Sequence, residues 1–185
     1  PLIIRAPTAD ELDRFYRGIY WDAFAAQHEP LDVWRRPQLY QHWVRVAVAE
    51  TIAGGIVFER YPETGCGLLT YLVVAPAARG QGVARQLVEH ALAVLADAPA
   101  VFAEVNDPRT QTREPRVVAE RRLAMFERWG ARPLDTAYVQ PALGPSLAPD
   151  TTLRLLAWGD PDPVLTAQFI DEFARVLHRS YADRD

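Results

Sequence analysis

The sequence contains no lysine, so all 20 of its basic residues are arginines. Against them stand 24 acidic residues, which gives a formal net charge of −4, and no basic stretch stands out. Proteins that bind nucleic acid usually present a strongly basic surface, so we predict no nucleic-acid partner. The chain also offers no lysine side chain of its own for acylation.

Cysteine and long apolar runs are scarce as well. The one cysteine, Cys66, excludes an internal disulfide and indicates a reducing compartment. Because it stands between two glycines, it is either a nucleophile or an incidental small residue. No apolar run reaches the roughly 20 residues of a membrane span, and the first residues lack the basic-then-apolar pattern of a secretion signal. We therefore predict a soluble, cytoplasmic protein with no membrane partner.

Apolar residues are plentiful instead, since 49% of the 185 residues are hydrophobic, enough to bury a core. A chain of this length most simply forms one domain. We predict a single domain over residues 1–185, with a core at 2–158 and a closing helix at about 163–181.

Hydrophobic periodicity predicts the order β-α-α-β-β-β-α-β-α-β-β, followed by the closing helix. A helical crossover should make the two central strands parallel, while short turns join the other neighbours antiparallel. The predicted fold is therefore a mixed, mostly antiparallel α/β sheet with a central parallel strand pair and helices on both faces. The strands are expected at 2–6, 44–50, 52–61, 67–75, 101–105, 138–139 and 151–158. The helices are expected after a cap at Thr8 or Asp10, and at about 32–42, 83–97, 118–129 and 164–181.

The most informative stretch is the junction between the strand at 67–75 and the helix that begins at Val83. Gly80 and Gly82 let the backbone of this turn approach a ligand with no Cβ in the way. Arg79 and Arg85 add positive charge, and the unpaired N–H groups and dipole of a helix N-terminus favour anions. The spacing matches neither the Walker A loop nor the dinucleotide fingerprint. The junction therefore predicts a site for a phosphorylated, partly apolar ligand.

The pattern Arg79-x-x-Gly82-x-Ala84 resembles the acyl-CoA pyrophosphate loop of the GNAT N-acetyltransferases, written Gln/Arg-x-x-Gly-x-Gly/Ala. The order of elements is also that of this family, and the resemblance runs over residues 2–158. Trp129-Gly130-Ala131 adds to it, since the family typically carries Tyr-x-x-x-Gly-Phe there. The extra C-terminal helix is less typical and could serve packing or dimerisation, so a homodimer stays open.

The resemblance implies the acyl-CoA N-acyltransferase (GNAT) fold, with acetyl-CoA as co-substrate and no metal. In this family the pantetheine arm hydrogen-bonds to the central strand, and the pyrophosphate lies on the loop. The implied cofactor-binding residues are Leu72, Val73, Val74, Arg79, Gly80, Gln81, Gly82, Val83, Ala84 and Arg85.

Acylation of an amine needs a group that takes the proton of the amine. Some family members that act on N-terminal amines carry a glutamate in a Glu-Val run as this proton acceptor, and Glu104-Val105 matches that run. A carboxylate in a strand of small apolar residues should be partly desolvated, which raises its pKa and suits it to the role. The alternative is a glutamate that faces solvent or pairs with an arginine, such as Arg121 or Arg122.

Glu29, in the run His28-Glu29-Pro30 between two predicted helices, is the second carboxylate candidate. It is either solvated or faces the ammonium of a substrate.

The proton donor that the family usually provides is missing. Its tyrosine is replaced by Phe126, and the asparagine seven residues earlier is replaced by Ala119. Tyr138 and Tyr71 are the candidate hydroxyls, and a buried structural role fits Tyr138 equally well.

Two functions stay open from the sequence. The first is an acetyl-CoA-dependent N-acetyltransferase that acts by direct attack of a primary amine, on a small molecule or a peptide N-terminus. The alternative, motivated by the missing tyrosine and asparagine, is a catalytically degenerate acyl-CoA-binding or regulatory module. A transferase that uses a longer acyl-CoA is a third and weaker interpretation.

Overall fold

The computed structural model describes residues 1–24, 29–35, 39–110, 113–144 and 146–182. His28 and parts of the helix expected at 32–42 therefore lie outside the described residues. The chain forms two compact units. The first unit comprises Pro1–Arg60 and Leu69–Asp97, and the second unit comprises Tyr61–Leu68 and Ala98–Asp185.

Seven strands form one mixed, mostly antiparallel sheet in the order β1-β2-β3-β4-β5-β7-β6, and β4 and β5 are a parallel pair. The predicted fold class is therefore confirmed, and so is the hairpin of β2 and β3. The strands are β1 Ile3–Arg5, β2 Gln41–Val48, β3 Ile52–Arg60, β4 Gly67–Val74, β5 Val101–Asn106, β6 Arg132–Pro133 and β7 Leu153–Trp158.

The helices begin close to the predicted positions. Thr8 is the N-cap of the first helix, where its side chain accepts from the Glu11 N–H and its own N–H donates to the Glu11 carboxylate. The closing helix is present and spans 20 residues. The helices are α1 Ala9–Arg14, which continues through a π-helical segment Phe15–Tyr20 into α2 Trp21–Ala23, then α3 Leu31–Arg35, α4 Val83–Val94, α5 Arg116–Arg128 and α6 Pro163–Ala182.

Two adjacent glycines of β3 let helical segments approach the sheet of the first unit closely. A Cβ on Gly55 would lie 2.5 Å from the Phe15 ring. A Cβ on Gly54 would lie 3.4 Å from the Val83 side chain and only 2.6 Å from the carbonyl oxygen of Val73 in β4. Because successive Cβ atoms of a strand point to opposite faces, the π-helical segment and α4 cover opposite faces of β3.

We expect the substitution Gly54→Ala to destabilise the protein, because its methyl group would push against the Val73 carbonyl. Overpacking of this kind costs about 1–3 kcal/mol, which urea denaturation would measure. Gly18→Ala is the matched control, since a Cβ there meets nothing within 4 Å and alanine is favoured over glycine in helices. Equal stability of Gly54→Ala and the wild type would contradict this close contact.

One predicted strand is wrong. Residues 138–139 do not pair with β7; its antiparallel partner on that side is β6, which is only two residues long. The chain returns to regular pairing at a single point, where Gln140 and Asp150 exchange backbone hydrogen bonds of 2.9 and 3.0 Å. Pro141 has no N–H with which to extend that ladder. The helix expected at 32–42 also ends early, because β2 already begins at Gln41.

The core of the second unit forms around α6. Phe169 is fully buried and stacks on Phe102 of β5, with 4.2 Å between ring centroids. Beside it the carboxylate of Glu172, also fully buried, accepts from the Glu63 N–H at 2.6 Å, the Thr64 N–H at 3.0 Å and the Thr64 hydroxyl at 2.7 Å. These bonds satisfy a carboxylate that would be costly to bury alone. Within the described residues, no helix combines the length and apolar character that crossing a bilayer would require.

Candidate functional site

In the first unit, the end of β4 leads through a short 3₁₀ turn, Pro76–Ala78, into α4. Gly80 and Gly82 both have left-handed backbones, with φ of 76° and 77°, in which side chains other than glycine are strained. Gly82 is the N-cap of α4, and no side chain caps the helix there. A Cβ on either glycine would meet no heavy atom within 4 Å, so the space in front of the turn is open.

The charges of this turn suit an anion. Arg79 is exposed, and among the residues that the structure describes it makes no ion pair. Arg85 is also exposed and pairs with Glu89 at 2.7 Å, one helical turn further on. Gln81 donates to the Ala77 carbonyl at 3.1 Å, which ties the turn to the 3₁₀ segment. The turn is therefore held by its own bonds, while the first N–H groups of α4 have no side-chain acceptor.

The three predicted residues of β4 differ in exposure. Val73 is buried in the core of the first unit, while Leu72 and Val74 are partly exposed. Val83 at the start of α4 is buried and Ala84 is partly exposed. The predicted cofactor residues thus form one continuous segment, in which most of the side chains pack or face outward and the backbone is the part suited to bind.

Glu29 lies in the first unit, against a cluster of aromatic side chains. Its N–H donates to the Tyr20 hydroxyl at 2.7 Å, the Tyr16 hydroxyl donates to its carbonyl, and its carboxylate accepts from the Trp34 indole at 3.0 Å. The alternative of a merely solvated carboxylate is therefore wrong. Tyr71 belongs to the same cluster, and burial, followed by the charge of Glu29, raises the pKa of Tyr71 well above its usual value.

In the second unit, Glu104 and Tyr138 lie together. The Glu104 carboxylate accepts a 2.5 Å hydrogen bond from the side-chain amide of Gln140. Tyr138 is only 6% exposed; burial raises its pKa well above the usual value, and the neighbouring Glu104 carboxylate raises it further. The Tyr138 hydroxyl therefore stays protonated near neutral pH. Gln140 was missed by the sequence reasoning because it lies in what was expected to be a featureless strand end.

The arginine that was offered as a partner of Glu104 is engaged elsewhere. Arg122 pairs with Glu114, and the Glu114 carboxylate also accepts from the Asn106 amide at 2.6 Å. The positions of the missing family side chains are filled by packing. Ala119 is fully buried, and the ring of Phe126 lies 5.3 Å from that of Trp129.

Next to Tyr138 is a cavity of about 290 Å³ in the second unit. Asp107 at its edge is buried and accepts from the guanidinium of Arg109 at distances of 2.7–3.1 Å. Arg154 of β7 lines the same cavity, and its Nε is buried without a hydrogen-bond partner. Arg109 first, and Arg154 at longer range, help to keep the pKa of Asp107 below its usual value. The signal in the sequence was an arginine inside the otherwise apolar run at 153–158.

No group of three or more His, Cys, Asp or Glu side chains is arranged to hold a metal ion in the described part of the chain. Cys66 is buried, and burial raises the pKa of its thiol, which disfavours the nucleophilic thiolate.

Comparison with known proteins identifies one family. The model of the acetyltransferase (GNAT) family matches residues 9–114, more than half of the chain. A search of the curated proteins finds no match.

Many solved structures share the fold. An aminoglycoside 6'-N-acetyltransferase complexed with coenzyme A is 16% identical, with a TM-score of 0.60 over 87% of this chain and 99% of that chain. The ribosomal-protein-S18-alanine N-acetyltransferase of Escherichia coli is 13% identical, with a TM-score of 0.57 over 88% and 97%. An acetyltransferase of Staphylococcus aureus Mu50 is 14% identical, with a TM-score of 0.58 over 85% and 98%. At these identities the likeness concerns the fold alone.

Proposed function

Because the chain belongs to the GNAT acetyltransferase family, we propose that it transfers the acetyl group of acetyl-CoA to a primary amine, by direct attack of that amine. The acceptor is a small molecule or a peptide N-terminus. The observation that carries the proposal is the N-terminus of α4, which has no side-chain cap and follows two glycines with open space before them.

This segment fits the pyrophosphate of acetyl-CoA. The N–H groups at the start of α4 would donate to phosphate oxygens, and the helix dipole favours their charge. Arg79 and Arg85 are exposed on the same turn and would add positive charge. Leu72, Val73 and Val74 would hold the pantetheine arm through their backbone groups. When bound, acetyl-CoA supplies an acetyl group activated as a thioester.

The proton chemistry is assigned to the second unit. Glu104 would take the proton of the attacking amine, and the Gln140 amide would hold the carboxylate in place. As the new C–N bond forms and the C–S bond breaks, the leaving sulfur needs a proton. Tyr138 would donate it, because its high pKa keeps the hydroxyl protonated.

Glu29 remains the second candidate for binding or deprotonating the amine. Its carboxylate is partly buried and already accepts a bond from Trp34, so it is fixed in position. An ammonium group beside aromatic rings is also favoured by cation–π attraction.

The test measures acetyl-CoA binding by calorimetry and the release of free CoA thiol across a panel of amino acids, polyamines, peptides and aminoglycosides. We expect binding, and thiol release that depends on the amine. Binding without turnover of any amine would favour the acyl-CoA-binding module, for which the buried Ala119 and Phe126 speak. A protein that does not bind acetyl-CoA would contradict both functions.

A further inference from the structure

We propose that the cavity beside Tyr138 binds the carboxylate of the acceptor, so that the substrate is a small amino acid or a similar amine that carries a carboxylate. This inference rests on the proposed function, since it names the substrate class of the same site.

The first step is the unneutralised charge of Arg154. In the described residues no carboxylate lies within ion-pair distance of this side chain, although it is only partly exposed and its Nε is buried without a partner. Burying a guanidinium without an anion is costly, because the protein does not replace the lost water. A ligand carboxylate would supply the missing acceptor in the planar geometry that arginine prefers.

The second step is the net charge of the cavity. Asp107 also lines it, but both oxygens of this carboxylate already accept from Arg109. These two charges cancel, which leaves the charge of Arg154 and a net of one positive charge. A cavity of this kind suits a monoanion.

The third step is size and lining. A volume of about 290 Å³ is at the small end of ligand pockets, which suits a molecule of amino-acid size. Thr136 and Thr151 add hydroxyl groups to the lining, while Ala137 and Leu153 add apolar surface. The lining thus offers polar contacts for a carboxylate and apolar contacts for a short side chain.

The fourth step is the position of the amine. Tyr138 lines the cavity and also lies beside Glu104, the proposed proton acceptor. A ligand whose carboxylate is held by Arg154 therefore has its amine a short distance from Glu104. An α-amino acid, in which one carbon separates the two groups, has this arrangement.

The experiment compares leucine, leucinamide and 3-methylbutylamine as acceptors, and repeats the comparison with the valine and phenylalanine series. Thiol release gives kcat/KM for each. For the best series we expect the amino acid to exceed its amide about 10- to 100-fold, the usual worth of a charge-assisted hydrogen bond. The carboxamide has the more easily deprotonated amine, so chemistry alone would favour it. Equal or faster turnover of the amides in every series would overturn the proposal.

The variant Arg154→Gln separates recognition from folding. We expect it to remove the preference for the acid while kcat/KM for the amide changes less than about twofold, and Arg154→Lys to restore part of the preference. An equal loss for acid and amide would show a structural role and overturn the proposal.

A failure of the proposed function gives a different result, since no amine is then acetylated. Calorimetry with the three amino acids alone would decide the cavity in that case. Binding that Arg154→Gln abolishes would support it, and binding that the variant leaves unchanged, or no binding by the wild type, would overturn it.

Discussion

Replacement of Gly82 by aspartate is expected to weaken acetyl-CoA binding about 100-fold, whereas asparagine at the same position should weaken it about threefold or less. The two side chains have the same shape, and both tolerate the left-handed backbone of Gly82 better than other residues. They differ in charge at the N-terminus of α4. Two unit charges about 4 Å apart near a protein surface repel by about 4 kcal/mol before salt screening, and about 2.8 kcal/mol corresponds to 100-fold in affinity.

Calorimetry with acetyl-CoA at low and high salt would measure both variants. The difference between aspartate and asparagine should shrink as salt rises, because the residue is exposed. If the two variants bind acetyl-CoA equally well, the phosphates do not lie at this turn, and the assignment of residues 79–85 is wrong.

Glu104→Gln is expected to lower kcat about 100-fold while the affinity for acetyl-CoA stays the same. The amide has nearly the same shape but cannot take a proton, and a positioned general base typically contributes 10²–10⁴-fold. Rapid-quench or thiol-release kinetics would measure kcat, and calorimetry the affinity. The deficit should become smaller at high pH, where more of the amine is already deprotonated.

Glu120→Gln is the control for this substitution. Glu120 lies on the same unit, is exposed on α5, and pairs only with Arg116 one turn earlier among the described residues. Its loss should leave kcat unchanged, since exposed pairs of this kind contribute little to stability. A wild-type rate in Glu104→Gln near neutral pH would remove Glu104 as the base and leave Glu29 as the candidate.

The sequence predicted the local part of the fold well because that part depends on short-range patterns. The N-cap at Thr8, the left-handed glycines before α4 and the order of strands all follow from side-chain spacing within a few residues. The segment at 138–139 has the same apolar character as a strand but lacks a partner along its length. Only the position of distant residues, such as Asp150, decides that question.

The candidate site divides in the same way. A glycine-rich turn before a helix is visible in the sequence, because its function rests on backbone groups. The amide of Gln140 on Glu104 and the unpaired charge of Arg154 depend on contacts between residues 36 or more positions apart, or on the lack of any contact. No periodicity reports such facts. The same holds for Gly54, which looks like an unremarkable strand glycine until the Val73 carbonyl is found beside it.

The buried carboxylate of Glu172 has a consequence for the time course of synthesis. Its acceptors satisfy the N–H groups of Glu63 and Thr64, which precede it by 109 and 108 residues. A ribosome that adds about 5–20 residues per second delivers Glu172 roughly 5–20 s after these two residues. Until then the turn lacks its anchor and the second unit lacks part of its core. The segment at 61–68 therefore waits through more than half of translation, and chaperones could meet it during that interval.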